Sequence, residues 1–393
     1  MTVANPRTAG GWTRLDGVDL LRGLAIFLVL MNHVNMRLAS AKVPYTHGLP
    51  EQLVLSLFWS GQLGVQIFFA VSGFLIASTA RRRWGHLSRV GVRDFYLLRV
   101  ARIAPLLLVL LGVLSALHFA GLRDFVVKSK TGGLGAALLA ALTFRVNVLE
   151  ATRGYLPGSW DILWSLSVEE TFYLAFPLLC RILGGGKWFI ALLFAFVATG
   201  PFARTVLSYN GVWKEYSYLG GMDAIALGCL TSLLVGRVRF STLGLKVLCG
   251  AGSAMVALSI CFSLQAAKWG LARAGLEMTA IAAGACMIMV AAAQTQWRGP
   301  RVVAPLLSLG RSSYEVYLTH MFLVFAFFDF FVASGKPMGA VPALFVVTIA
   351  VAAVVGAAVA RNYSEPMNRY LRARPWGRPK RREAELSAAN LAS

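Results

Sequence analysis

The feature that most constrains this chain is repetition: stretches of about 20 mainly apolar residues recur along its 393 residues. A helix rises about 1.5 Å per residue, so roughly 20 apolar residues are needed to cross a hydrocarbon layer about 30 Å thick. The stretches fall near 18 to 37, 54 to 79, 103 to 120, 160 to 180, 187 to 207, 219 to 236, 247 to 264, 273 to 293, 305 to 331 and 340 to 360. Lipid offers no partner for backbone N–H and C=O groups, so uniformly apolar runs of this length must satisfy them internally, as helices. With 57% hydrophobic and 14% charged residues, the composition also departs from that of soluble domains. The expected fold class is an all-α polytopic membrane protein with about ten transmembrane helices.

Charge decides the handling of one weaker stretch, Leu134 to Val148, which starts Gly-rich and is interrupted by Arg145. If it crossed the bilayer, the basic segment from Arg361 to Arg382 would lie opposite the basic loop holding Arg81, Arg82, Arg83, Arg89 and Arg93. Lys and Arg concentrate on the cytoplasmic side, so ten spans are expected, with both termini cytoplasmic and 121–159 outer-side or partly re-entrant. Residues 1–371 then form one membrane domain, and 372–393, lacking any apolar period, a basic, disordered cytoplasmic tail. Ala39-Ser40-Ala41 imitates a signal-peptide cleavage site, but Asn32, His33 and Arg37 interrupt the approach to it, so the first span is expected to be retained. The net charge of +21 would suggest nucleic acid in a soluble protein. Here the cations flank spans, where they orient helices and meet anionic lipid, and no nucleic-acid motif accompanies them. Five cysteines without a CxxC pair imply neither a disulfide framework nor a metal site. Nothing in the pattern bears on oligomeric state.

Ionisable residues inside the spans mark candidate sites, because a charge at the bilayer centre costs about 2.5–3.5 kcal/mol on insertion scales. The first span carries Asp19, Arg22 and His33; eleven residues at about 1.5 Å each place Arg22 near the inner surface and His33 near the middle. The fourth carries Glu169 and Glu170 at mid-depth, and the ninth Glu315 and His320. Three helices thus bring His33, Glu169 or Glu170, and His320 toward one level. On residue chemistry alone, each histidine suits either a packed, satisfied role or proton transfer, and Arg22 either a snorkelling anchor or an anion contact. Arg99 and Arg102, three apart at an expected helix start, share a face where paired guanidiniums can hold phosphate.

Several separated motifs resemble those of the acyltransferase 3 family of membrane-bound O-acyltransferases. Arg22 and His33 match its Arg, ten residues, His element; Phe68, Phe69, Ser72, Gly73, Phe74, Leu75 and Ile76 match FFxxSGFLI; Arg99, Arg102, Ile103 and Pro105 match RxxRIxP. WSLSVEExFY stands at Trp164, Ser165, Leu166, Ser167, Val168, Glu169, Glu170, Phe172 and Tyr173, with Thr171 where the family usually has Gln. Asp223 and Gly228, then Gly310, Ser313, Tyr314, Tyr317 and His320, then Tyr363, Glu365 and Pro366 complete the order, covering residues 15 to about 370.

The resemblance implies a stand-alone acyltransferase of the bacterial cytoplasmic (inner) membrane, without the hydrolase-like domain many relatives carry. It implies transfer of an acyl group, most often acetyl, from cytoplasmic acyl-CoA to a hydroxyl of a carbohydrate or glycolipid. Acyl-CoA enters as donor substrate and no tightly bound cofactor is expected. In that scheme Arg22, Arg99 and Arg102 contact the donor, His33 is the general base, Glu169 orients it, and Glu170 belongs to the same catalytic group. Ser72, Trp164, Ser167, Tyr173, Asp223, Tyr317, His320 and Glu365 line the pocket or serve the motif structurally. The competing reading is a transporter of an acyl group or lipid-linked sugar using an intramembrane His/Glu relay.

Overall fold

The computed structural model describes residues 15–373. Ten of its helices are long and apolar enough to cross a bilayer. We label their main segments α1 (Asp16–Ser40), α2 (Gly61–Trp84), α3 (Val92–Phe119), α4 (Leu163–Ile182), α5 (Lys187–Thr205), α6 (Tyr218–Val235), α7 (Thr242–Cys261), α8 (Leu276–Thr295), α9 (Ser313–Ala333) and α10 (Val341–Val359). There is no strand among the described residues. The chain is a multi-pass, all-α membrane protein. The expected tail lies, from residue 374 on, outside the described residues.

The most enclosed helix is α2, which packs against α1, α6 and α8, whereas α7 is the least enclosed and leans on α8. Small residues set the closest crossings, as is usual where helices associate without a hydrophobic drive between them. A Cβ on Gly73 of α2 would collide with the Ile225 carbonyl of α6, and one on Gly228 of α6 with the Ala70 carbonyl of α2. The Cys229 thiol, one residue on, donates to the Gly73 carbonyl at 3.3 Å.

Several boundaries differ from the sequence expectation. The second span begins at Gly61 rather than near 54, because a separate short helix, Glu51–Phe58, ends at Trp59 before the chain turns in. The third begins at Val92 rather than near 103, drawing Arg93, Arg99 and Arg102 into the helix; Arg99 and Arg102 find carboxylates there, which lowers the cost of burying them. The ninth is not continuous from 305: it breaks at Ser312 into Ala304–Arg311 and α9, so Glu315 falls in the first turn of α9. The stretch 134–148 does not span. It folds as two short helices, Gly133–Leu142 and Val146–Arg153, separated by Phe144 in the left-handed region at φ 56°.

The end of α2, the start of α3 and the short helix Glu365–Ala373 beyond α10 lie at one end of the bundle, and their arginines make this the basic face. A five-residue π-helical turn, Ala360–Ser364, joins that short helix to α10. The Tyr363 hydroxyl within the turn donates to the Pro105 carbonyl of α3 at 3.3 Å, tying the segment to the bundle.

Candidate functional site

Helices α1, α2, α3, α4 and α9, with Glu365–Ala373, enclose a cavity of about 690 Å³. Its mouth lies on the basic face among Trp84, Arg311, Arg369 and Arg372, and it reaches inward to Phe68, Ser165 and Tyr317. Ser165 is two residues from the start of α4, the end remote from the basic face, so the cavity runs through much of the bundle.

Of the residues expected to contact a donor, Arg22, Arg99 and Arg102 all line this cavity. Each already has a partner in the protein. Arg22 Nε donates to Ser313 Oγ at 3.0 Å, with Asp19 at 3.9 Å. Arg99 pairs with Glu170 at 3.7 Å and lies 3.5 Å over the Tyr173 ring. Arg102 pairs with Glu315 at 3.1 Å and faces the Tyr314 ring at 5.2 Å. The deep guanidiniums are therefore matched by carboxylates, hydroxyl and aromatic faces rather than left open for phosphate.

Glu169 lines the cavity beside Ser72 and faces the charges of Glu170, Arg99 and Arg22. Ser72 and Tyr173 share a short hydroxyl–hydroxyl hydrogen bond on its wall. Glu365 lies at the mouth. Adjacent carboxylates on one helix point about 100° apart. Here both reach the cavity, because it wraps around that face of α4.

His33 stands seventeen residues after Asp16, about 26 Å along α1 at 1.5 Å per residue, past the helix midpoint. Its partner is not Glu169. Nδ1 of His33 lies 3.1 Å from Nε2 of His320, and no hydrogen bond joins His33 to Glu169 among the described residues. The tautomers follow from the third member of the chain. Nδ1 of His320 is 2.7 Å from the Tyr317 carbonyl, which can only accept, so that nitrogen carries the proton. In the neutral ring Nε2 of His320 is then an acceptor. Nδ1 of His33 must donate to it, which leaves the lone pair on Nε2 of His33.

Neither histidine lines the cavity, but Tyr317 belongs to both regions. Its ring stands at the inner end, edge-on to Phe68, its hydroxyl meets Ser165 Oγ at 2.7 Å and donates to the Ile162 carbonyl at 2.9 Å, and its carbonyl holds His320.

Besides His320, three expected pocket residues lie elsewhere. Trp164 stacks on Tyr216 at 4.1 Å and meets Phe69 edge-on. Ser167 accepts from the Val146 amide and donates to the Leu163 carbonyl, fastening the short helix Val146–Arg153 to α4. Asp223, fully buried, forms a two-point ion pair with Arg204 at 2.7 and 3.0 Å, and Arg204 also donates to the Gly275 carbonyl and Thr279. This joins α5, α6 and α8 and is structural. Arg204 escaped sequence reading because an arginine in a last helical turn looks like an ordinary flanking cation. Glu315 was visible as an intramembrane acid, yet nothing local pointed to Arg102 as its partner.

A family model described as an acyltransferase domain, acyltransferase 3, matches residues 15–359. The chain is similar to O-acetyltransferase OatA of Staphylococcus aureus strain NCTC 8325 / PS 47 and to the protein of that name from strain COL. Each is 25% identical over 170 residues, 43% of this chain and 25% of the relative. The matched region is thus about a quarter of those relatives' length. No solved structure matches the chain. Because the family match runs from the start of α1 to the end of α10 and takes in every spanning helix, the chain belongs to the acyltransferase 3 family.

Proposed function

We propose that the protein is a membrane O-acyltransferase of the bacterial cytoplasmic membrane. It moves an acyl group, acetyl foremost, from acyl-CoA to a hydroxyl of a carbohydrate or glycolipid. The observation that carries this reading is the continuity at Tyr317: a cavity open on the basic face ends at the residue whose carbonyl sets the tautomer of the His320–His33 pair. Family membership and the O-acetyltransferase names of the relatives support the same reaction class.

In this reading the donor enters from the cytoplasmic side and the acceptor hydroxyl approaches Nε2 of His33. A hydroxyl is too weakly acidic to attack a thioester unaided. Nε2 of His33 takes its proton as the oxygen forms a bond to the acyl carbon; the carbon–sulfur bond then breaks, and the proton passes to the departing CoA thiolate. No proton is gained or lost overall. His320 holds the imidazole in the basic tautomer, the office that the resemblance assigned to Glu169. Glu169 and Glu170 instead neutralise the cavity arginines and position the donor arm beside Tyr173.

The test is release of free CoA by purified protein given acetyl-CoA and a polysaccharide or glycolipid acceptor. His33→Ala should abolish it at wild-type expression; near-normal release by that variant rejects the base assignment, and no release by wild type rejects the reaction.

A further inference from the structure

The cavity's cations fall into two sets that differ in what neutralises them. Inside, Arg22, Arg99 and Arg102 each have a protein partner, and at the mouth Arg311 pairs with Asp16 at 3.4 Å and Asp19 at 3.5 Å. The short helix Glu365–Ala373 contributes Asn368, Arg369 and Arg372 to the same mouth. Arg369 and Arg372 are exposed, and neither has an ion-pair partner within 4.0 Å among the described residues. Glu365, four residues before Arg369 on the same face, makes no such pair with it. The charges acting on Arg372 are those of Arg83, Arg102 and Arg99, all of its own sign. Nearby, Oδ1 of Asn368 is buried without a hydrogen-bond partner.

We infer that this helix is the binding site for the phosphorylated nucleotide end of the donor, so that Arg369 and Arg372 take the phosphates and the deeper, neutralised arginines flank the uncharged thioester arm. The inference rests on the acyl-CoA reading above. Its physical basis is competition. A phosphate placed at Arg99 or Arg102 must displace Glu170 or Glu315, each nearly fully buried, and strand a carboxylate there. A phosphate at Arg369 and Arg372 meets two open guanidiniums three residues apart on one helix face, a geometry suited to charge-assisted, bidentate contacts, and relieves their repulsion with Arg83 and the deeper pair. The π-helical turn and the Tyr363–Pro105 bond hold the helix over the mouth, so the site is formed before the donor arrives.

The experiment compares two donors in the full-length protein: acetyl-CoA, and acetyl-pantetheine, which lacks the nucleotide and every phosphate. The double variant Arg369→Ala with Arg372→Ala should raise KM for acetyl-CoA about tenfold or more, the scale of one to two lost charge-assisted contacts, with kcat little changed. The KM ratio of the two donors should collapse toward one. Arg369→Lys with Arg372→Lys, which keeps the charges, should recover part of the loss and controls for misfolding. Equal effects of the double variant on both donors, or an unchanged KM for acetyl-CoA, overturn the inference alone. No turnover of acetyl-CoA by the wild-type protein overturns the donor reading and the inference with it.

Discussion

At the scale of residues, the proposed chemistry turns on which nitrogen of His33 is free, and His320 sets that. His320 is fully buried, sits outside the cavity, and spends both ring nitrogens on the Tyr317 carbonyl and on His33. Its proposed role is therefore positioning. His320→Ala should lower kcat by on the order of 10²-fold with little change in KM, the scale of losing a correctly oriented base. His320→Gln, whose amide oxygen can still accept from Nδ1 of His33, should restore part of the rate. A fall in stability for both variants without this difference in kcat would mean that His320 only packs.

At the scale of elements, two packing devices have measurable consequences. The α2–α6 crossing depends on Gly73 and Gly228, each facing the other helix's backbone. Gly228→Ala must push α6 off α2 and should cost at least as much as an overpacked core substitution, about 1–3 kcal/mol, seen as a lower thermal midpoint in detergent. The second device is the short helix Val146–Arg153, which places Glu150 in a fully buried position where it accepts from the Leu156 amide at 3.0 Å. Burial first, and the charge of Asp161 second, push the Glu150 carboxyl well above its ordinary range. A carboxyl whose folded pKa is raised binds its proton more tightly in the native state, so its contribution to stability falls as pH rises from the ordinary carboxylate range through the folded value. The thermal midpoint should therefore drop as pH rises above the ordinary carboxylate range, and Glu150→Gln should flatten that drop. Parallel pH profiles for the two proteins would remove Glu150 as the cause.

At the scale of the whole molecule, ten crossings return the chain to the face on which it entered, so the loop between α2 and α3 shares a side with the segment after α10. On the positive-inside rule that basic face is the expected cytoplasmic side, from which the proposed acyl-CoA donor would enter. An impermeant thiol reagent applied to intact cells should label Ser334→Cys, beyond the far end of α9, and spare Arg82→Cys, at the basic end of α2. The reverse pattern would invert the orientation and deny the donor its route to the cavity mouth.

The apolar stretches determined by themselves that this is a membrane-spanning helical bundle, because transfer of about 20 residues into hydrocarbon is a local property read one segment at a time. The same holds for the chemistry-bearing residues: Arg22, His33, Glu169 and Glu170 stand out because burying them is costly wherever their helices end up. Partnership is different. His33 and His320 are 287 positions apart, Arg102 and Glu315 lie on α3 and α9, and Arg204 and Asp223 on α5 and α6. Which acid meets which base depends on helix rotation and crossing, set by contacts between segments such as the paired glycines of α2 and α6. Only the tertiary structure could move the imidazole's partner from Glu169 to His320, or show that the deep arginines are already matched while Arg369 and Arg372 at the mouth are open.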